Sequence, residues 1–173
     1  MRQLVTLATV LTLFSCARAV APLPPLDAST ANALPSAPTA TTAPRGRIEI
    51  REALAAGPIA AYVRQEDERA RQDGRRLVVY VGATWCEPCR RFLDAARAGE
   101  LDGEFGHLRL LEFDLDRDRE ALAAAGYRSE LIPLIALPGA DGRGNGRGMQ
   151  GSVKGEGAVA NMRPRLRELL ALP

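Results

Sequence analysis

Two cysteines three positions apart, Cys86 and Cys89, carry the most reactive chemistry in the sequence. They lie in Thr84-Trp85-Cys86-Glu87-Pro88-Cys89, beside the chain's one tryptophan. Thiols at this spacing can cycle between dithiol and disulfide, supply half of a metal site, or staple a loop. A structural zinc takes about four nitrogen or sulfur ligands. His107 is the only histidine, so a metal centre would require two copies of the chain to share their motifs, and none is expected.

The elements around the pair favour the redox reading. Arg76–Gly82 (RLVVYVG) is a continuous apolar, β-branched run, the pattern of a strand buried on both faces. A helix that follows it would start at the motif and run to about Ala98, with Phe92, Leu93 and Ala96 turned inward. Cys86 then sits at a helix N-terminus, where unpaired amides and the helix dipole favour a thiolate. Cys89, one turn on, is placed to resolve a mixed disulfide. Cys86 is therefore the expected exposed nucleophile, Cys89 the resolving thiol, and Trp85 part of an apolar platform beside them.

Elsewhere Ile48 and Ile50 alternate as in a short strand, and Gly57-Pro58 opens a helix through Asp73 that turns Ile59, Tyr62, Val63 and Ala70 to one face. The charge run Arg64–Arg76 reads as that helix's solvated face. Leu108–Leu115 makes a further strand, Asp116 caps a helix over Arg117–Ala125, and Leu134–Leu137 makes a fourth strand with Pro133 at its entry. Residues 139–157 hold eight of the sixteen glycines and suggest a wide turn with a strand near Met149–Val153. Within them, Gly146–Gly151 matches G-x-G-x-x-G by chance, since no strand-to-helix junction is expected there. A helix over Ala158–Leu170 closes an order of strand, helix, strand, helix, strand, helix, strand, strand, helix. His107 reads as a loop or strand-edge residue.

The stretch VVYVGATWCEPCRRF, followed by Ile132-Pro133 opening a strand, resembles the thioredoxin superfamily. The resemblance covers roughly residues 47–172 in the order and spacing of elements. It implies a thioredoxin fold, an α/β domain with a central mixed sheet flanked by helices on both faces, acting as a thiol–disulfide oxidoreductase without a cofactor. It also implies that the proline at position 133 is cis and that Pro133 and the backbone of Ile132 dock an extended substrate segment. The chain departs from the family in two ways. Tyr80 stands where thioredoxins carry a buried aspartate, and Glu112 falls where its partner lysine would be, which makes Glu112 the candidate substitute for the missing proton acceptor. Glu87-Pro88 replaces Gly-Pro. Glu87 would raise the Cys86 pKa and favour a reducing centre, whereas Arg90 and Arg91 pull the other way. Cys-Glu-Pro-Cys also occurs in tethered reductases of cytochrome c maturation. The 44 positions from Cys89 to Pro133 leave no room for the insertion those proteins carry, so the resemblance is to a general exported thioredoxin-like protein.

The ends of the chain bear on location. Arg2 and the apolar run Leu4–Phe14 suit a signal peptide over residues 1–15, too short for a helix that crosses a bilayer in about 20 residues. Leu13-Phe14-Ser15-Cys16 resembles a bacterial lipobox, making Cys16 the expected lipidation site, and Ala17-Arg18-Ala19 offers ordinary secretory cleavage instead. Residues 16–45, holding six of the twelve prolines, read as a tether, and residues 46–173 as the folded domain. The expectation is a monomer in the bacterial cell envelope, anchored to the membrane through a lipid on Cys16 and facing the periplasm, or else soluble and periplasmic or secreted. Its partners would be thiol- or disulfide-containing exported proteins and a thiol electron donor or acceptor. With 23 basic against 21 acidic residues there is no basic field for nucleic acid. A non-catalytic adaptor on the same scaffold is the rival reading.

Overall fold

The run Arg76–Gly82 forms strand β2, buried along six of its seven residues as the sequence pattern requires. The computed structural model describes residues 46–54 and 57–172. Cys16, the signal peptide, the tether and the boundary between tether and domain lie outside the described residues. Around β2 the chain builds β1 (Glu49–Glu52), α1 (Ile59–Gln72), α2 (Glu87–Ala98), α3 (Asp102–Phe105), β3 (Leu108–Asp114), α4 (Leu115–Ala124), β4 (Leu134–Pro138), β5 (Gly144–Gln150) and α5 (Gly157–Ala171). The result is a mixed α/β domain with one five-stranded sheet in the order β1-β3-β2-β4-β5. The first three neighbours run parallel, β4 runs antiparallel to β2, and β5 antiparallel to β4.

Alternation along β2 sends its side chains to two cores. Val78 and Tyr80 pack with Phe92 and Ala96 of α2 and with Met162 and Leu166 of α5. Leu77, Val79 and Val81 pack on the opposite face with Ile59 and Val63 of α1 and Leu122 of α4. Helices thus cover both faces, and each fully buried Leu, Val or Phe contributes on the order of 2 kcal/mol. Between the two outer parallel strands and α1, the buried Arg109 donates to Glu49 at 2.7 Å and to Asp73 at 2.6 Å, closing the sheet end farthest from the cysteines.

Three expectations need correction, and one element was not expected. The fifth strand is Gly144–Gln150 rather than Met149–Val153, so the G-x-G-x-x-G match lies mostly along a strand. Glycine carries no strand signal, yet here it is required, because a Cβ on Gly148 would stand 2.9 Å from the Ile135 carbonyl across the ladder. Asp114, not Asp116, caps α4, accepting from the Asp116 and Arg117 amides at 2.8 and 3.1 Å. The single turn α3 went unforeseen, being too short for a periodic pattern. Finally, the charge run on α1 is not wholly solvated. Glu66 and Asp67 are buried, held by Arg69 and Arg71 from one turn on.

Candidate functional site

α2 starts where β2 ends, and the start is made by the cysteines. Cys86 is the N-cap residue, its sulfur accepting from the Cys89 amide at 3.3 Å, and Glu87 and Pro88 fill the first two helical positions. Cys86 and Cys89 are joined as a disulfide, their Cα atoms 5.2 Å apart. Both are more covered than expected of an exposed nucleophile, at 4% and 1% exposure. They belong to the buried cluster that includes Tyr80, Ala83, Phe92 and Leu93.

Each cysteine nevertheless borders its own recess. Cys86 lines a groove of about 440 Å³ with Trp85, Leu115, Leu131, Ile132 and Lys154. Cys89 lines a cavity of about 450 Å³ with Glu52, Arg97, Glu112, Asp114 and Arg117. One disulfide therefore has an apolar side and a charged side.

On the groove side, Trp85 is 61% exposed, and its indole Nε1 donates to Asp116 Oδ2 at 2.8 Å. Asp116 is thus freed from capping α4 and holds the ring instead. The Ile132–Pro133 peptide bond is cis, as the resemblance implies, and Ile132 faces the groove while Pro133 is buried. The Pro133 carbonyl accepts from the Gly151 amide at 2.8 Å. Among the described residues, the Ile132 amide and carbonyl form no hydrogen bond. Arg91 donates to Glu87 at 2.9 Å, and that bond, opposed by burial, holds the Glu87 carboxyl below the usual range with help from the Arg91 charge, the Gly155 amide and Arg90. Arg90 turns to the Thr84 carbonyl at 2.7 Å. Glu87 next to Cys86 is therefore a neutralised charge.

On the cavity side, Tyr80 is fully buried, stacks on Phe92 with ring centroids 5.8 Å apart, and donates its hydroxyl to the Cys89 carbonyl at 3.0 Å. Burial first, and then the charge of Glu112, hold the phenol far above its usual pKa, so it stays protonated and keeps a proton to donate. Gly82 makes room for it, since a Cβ there would meet Tyr80 Cε1 at 3.0 Å and the Cys89 Cβ at 3.4 Å. Glu112 pairs with Tyr80 across the ladder and lies 3.4 Å from Arg97. Burial pushes the Glu112 carboxyl up, Arg97 pulls it down, and Glu52 and Asp114 add to the rise.

The structure thus brings the sequence-predicted Trp85, Cys86, Glu87, Pro88 and Ile132 together around the groove, and places Cys89 and Glu112 on the cavity with Tyr80 behind the Cys89 turn. His107 is set apart, next to the start of β2 at the opposite end of the sheet from the disulfide. Sequence reasoning missed Asp116, Leu131 and Lys154. Only Asp116 left a trace, as a cap candidate lying on the wrong residue. Among the described residues there is no group of three metal-ligating side chains and no helix long and apolar enough to cross a membrane. No family model matches the chain, and no curated protein matches it.

Proposed function

We propose that the chain is a thioredoxin-like thiol–disulfide oxidoreductase acting on exported proteins, as a reductase rather than an oxidase. The observation that carries this reading is the Cys86–Cys89 disulfide at the N-terminus of α2, with Cys86 opening onto a groove lined by Ile132, whose backbone forms no hydrogen bond among the described residues. The element order and the place of Ile132-Pro133 before β4 support the resemblance. The proposed location is the bacterial cell envelope, with a lipid on Cys16 and the domain in the periplasm. Labelling with a fatty acid tests this, and no label on Cys16 removes the anchor.

In the reaction the Cys86 thiolate attacks one sulfur of a substrate disulfide. A Cys86–substrate bond forms and the other substrate sulfur leaves as a thiolate. Cys89 gives its proton to the Glu112 carboxylate and attacks the Cys86 sulfur, closing the Cys86–Cys89 disulfide and releasing the second substrate thiolate. The substrate gains two electrons and the protein loses two, so a thiol donor must return it to the dithiol. Trp85 and Ile132-Pro133 shape the docking surface, and Glu112, sharing the cavity with Cys89, is the proposed proton acceptor in place of the family's aspartate. In a turbidity assay, where reduction frees an insoluble chain, Cys86→Ser is expected to abolish activity. Full activity in that variant would refute the assignment.

One observation favours a non-catalytic adaptor, namely the near-complete burial of both cysteines. An adaptor would keep its disulfide closed at any potential that ordinary thiols reach.

A further inference from the structure

The groove beside Cys86 contains the chain's only lysine, all other basic side chains being arginines. Lys154 is exposed on the loop between β5 and α5, and Arg119, also exposed, stands on α4 across from it. Both line the groove, and among the described residues neither takes part in an ion pair or a side-chain hydrogen bond. Of the two acids lining it, Glu87 is held by Arg91, which leaves only Glu130 opposing the two cations. Three further acids lie outside the lining. Asp116 is occupied by the Trp85 indole, Glu120 follows Arg119 directly but points along another side of α4, and Glu156 follows Lys154 by two residues. The apolar Trp85, Leu131 and Val153 are 61%, 62% and 50% exposed.

We infer that Lys154 and Arg119 are specificity-determining residues, and that the preferred substrate is an extended segment whose cysteine is flanked by acidic side chains, with an apolar residue near it for Trp85 and Leu131. The inference rests on the exchange reading above. Unpartnered cations along a groove attract an acidic segment, speed its encounter and disfavour a basic one.

The test uses the full chain, reduced with dithiothreitol and desalted, against peptides Ala-Val-X-Cys-X-Ala whose cysteine carries a thionitrobenzoate group, with X as Asp, Asn or Lys. Cys86 attacks the peptide sulfur and expels coloured thionitrobenzoate, and Cys89 then frees the peptide thiol. Each rate is divided by the rate with dithiothreitol, which removes the effect of the flanking charge on intrinsic reactivity. The Asp peptide is expected to react roughly fivefold faster than the Lys peptide, with Asn between, as exposed charge pairs allow. That ratio should shrink toward one at about 1 M salt. Lys154→Gln and Arg119→Gln should each lower it, and Lys154→Glu with Arg119→Glu should reverse the order. Equal normalised rates, or an order that survives the double reversal, would overturn the inference and leave exchange intact. No release from any peptide would overturn both.

Discussion

Among the described residues, Cys86 borders a groove with an apolar rim and unpartnered cations, whereas Cys89 borders a cavity of nearly the same volume in which every charged side chain already has a partner. There Glu52 faces Arg117, Arg97 faces Glu112, Arg90 holds the Thr84 carbonyl, and Asp114 caps α4. The difference teaches that volume does not make a binding site. A recess whose polar groups are satisfied internally gains little from a ligand, while one with exposed apolar surface and idle charges gains by being covered. Under the proposed function the two sulfurs of one disulfide would have different tasks, Cys86 to meet another molecule and Cys89 to stay within a fixed surrounding.

The largest way to break this comparison is to exchange the sulfurs' roles. Cys89→Ser should still allow one attack by Cys86 and then stall, accumulating mixed disulfides visible on non-reducing gels. Mixed disulfides that instead form on Cys89 in a Cys86→Ser variant would invert the account. Next, Trp85→Ala should lower kcat/KM on a protein disulfide by roughly tenfold, the scale of an exposed aromatic anchor in an interface. Reduction of hydroxyethyl disulfide, too small to need the rim, should change less than about twofold on the same argument. Equal losses on both substrates would assign Trp85 to the chemistry rather than to docking.

Smaller effects probe the cavity side. Tyr80→Phe removes a buried donor from the Cys89 carbonyl and should lower stability by about 1 kcal/mol in urea unfolding, with substrate KM unchanged. Smallest in its effect on stability is Glu112→Gln. Burial raises the Glu112 carboxyl in the folded state, so its ionisation opposes folding. Wild-type protein should then lose a little stability as pH rises from the ordinary carboxylate range through the raised folded value, and the Gln variant should lack that loss. A difference between the two unfolding midpoints that is flat with pH would show that Arg97 offsets the burial.

Most of the frame that carries the disulfide is readable in the residues. An apolar run bounded by glycine makes β2, and the cysteine motif with Pro88 starts α2, because both signals are local. Where the decisive contact is distant, the pattern is silent. β5 is a strand because glycines allow close approach to β4, and no glycine announces that by itself. Glu66 and Asp67 are buried because neighbouring arginines neutralise them, although their composition reads as solvated. Asp116 offered one carboxylate with two possible uses, and only the position of Trp85 decides between them. The split between groove and cavity was the least legible feature, since it depends on which side of a helix start each sulfur faces.

A redox titration of the Cys86–Cys89 pair in the full chain, equilibrated in dithiothreitol or glutathione buffers and quenched by alkylation, tests the central claim most directly. A potential between about −270 and −120 mV, the span of exchanging dithiols, is the result predicted for a groove-facing Cys86 that trades disulfides with other proteins. A potential below about −300 mV, where structural disulfides lie, would contradict it and leave the pair as an inert staple.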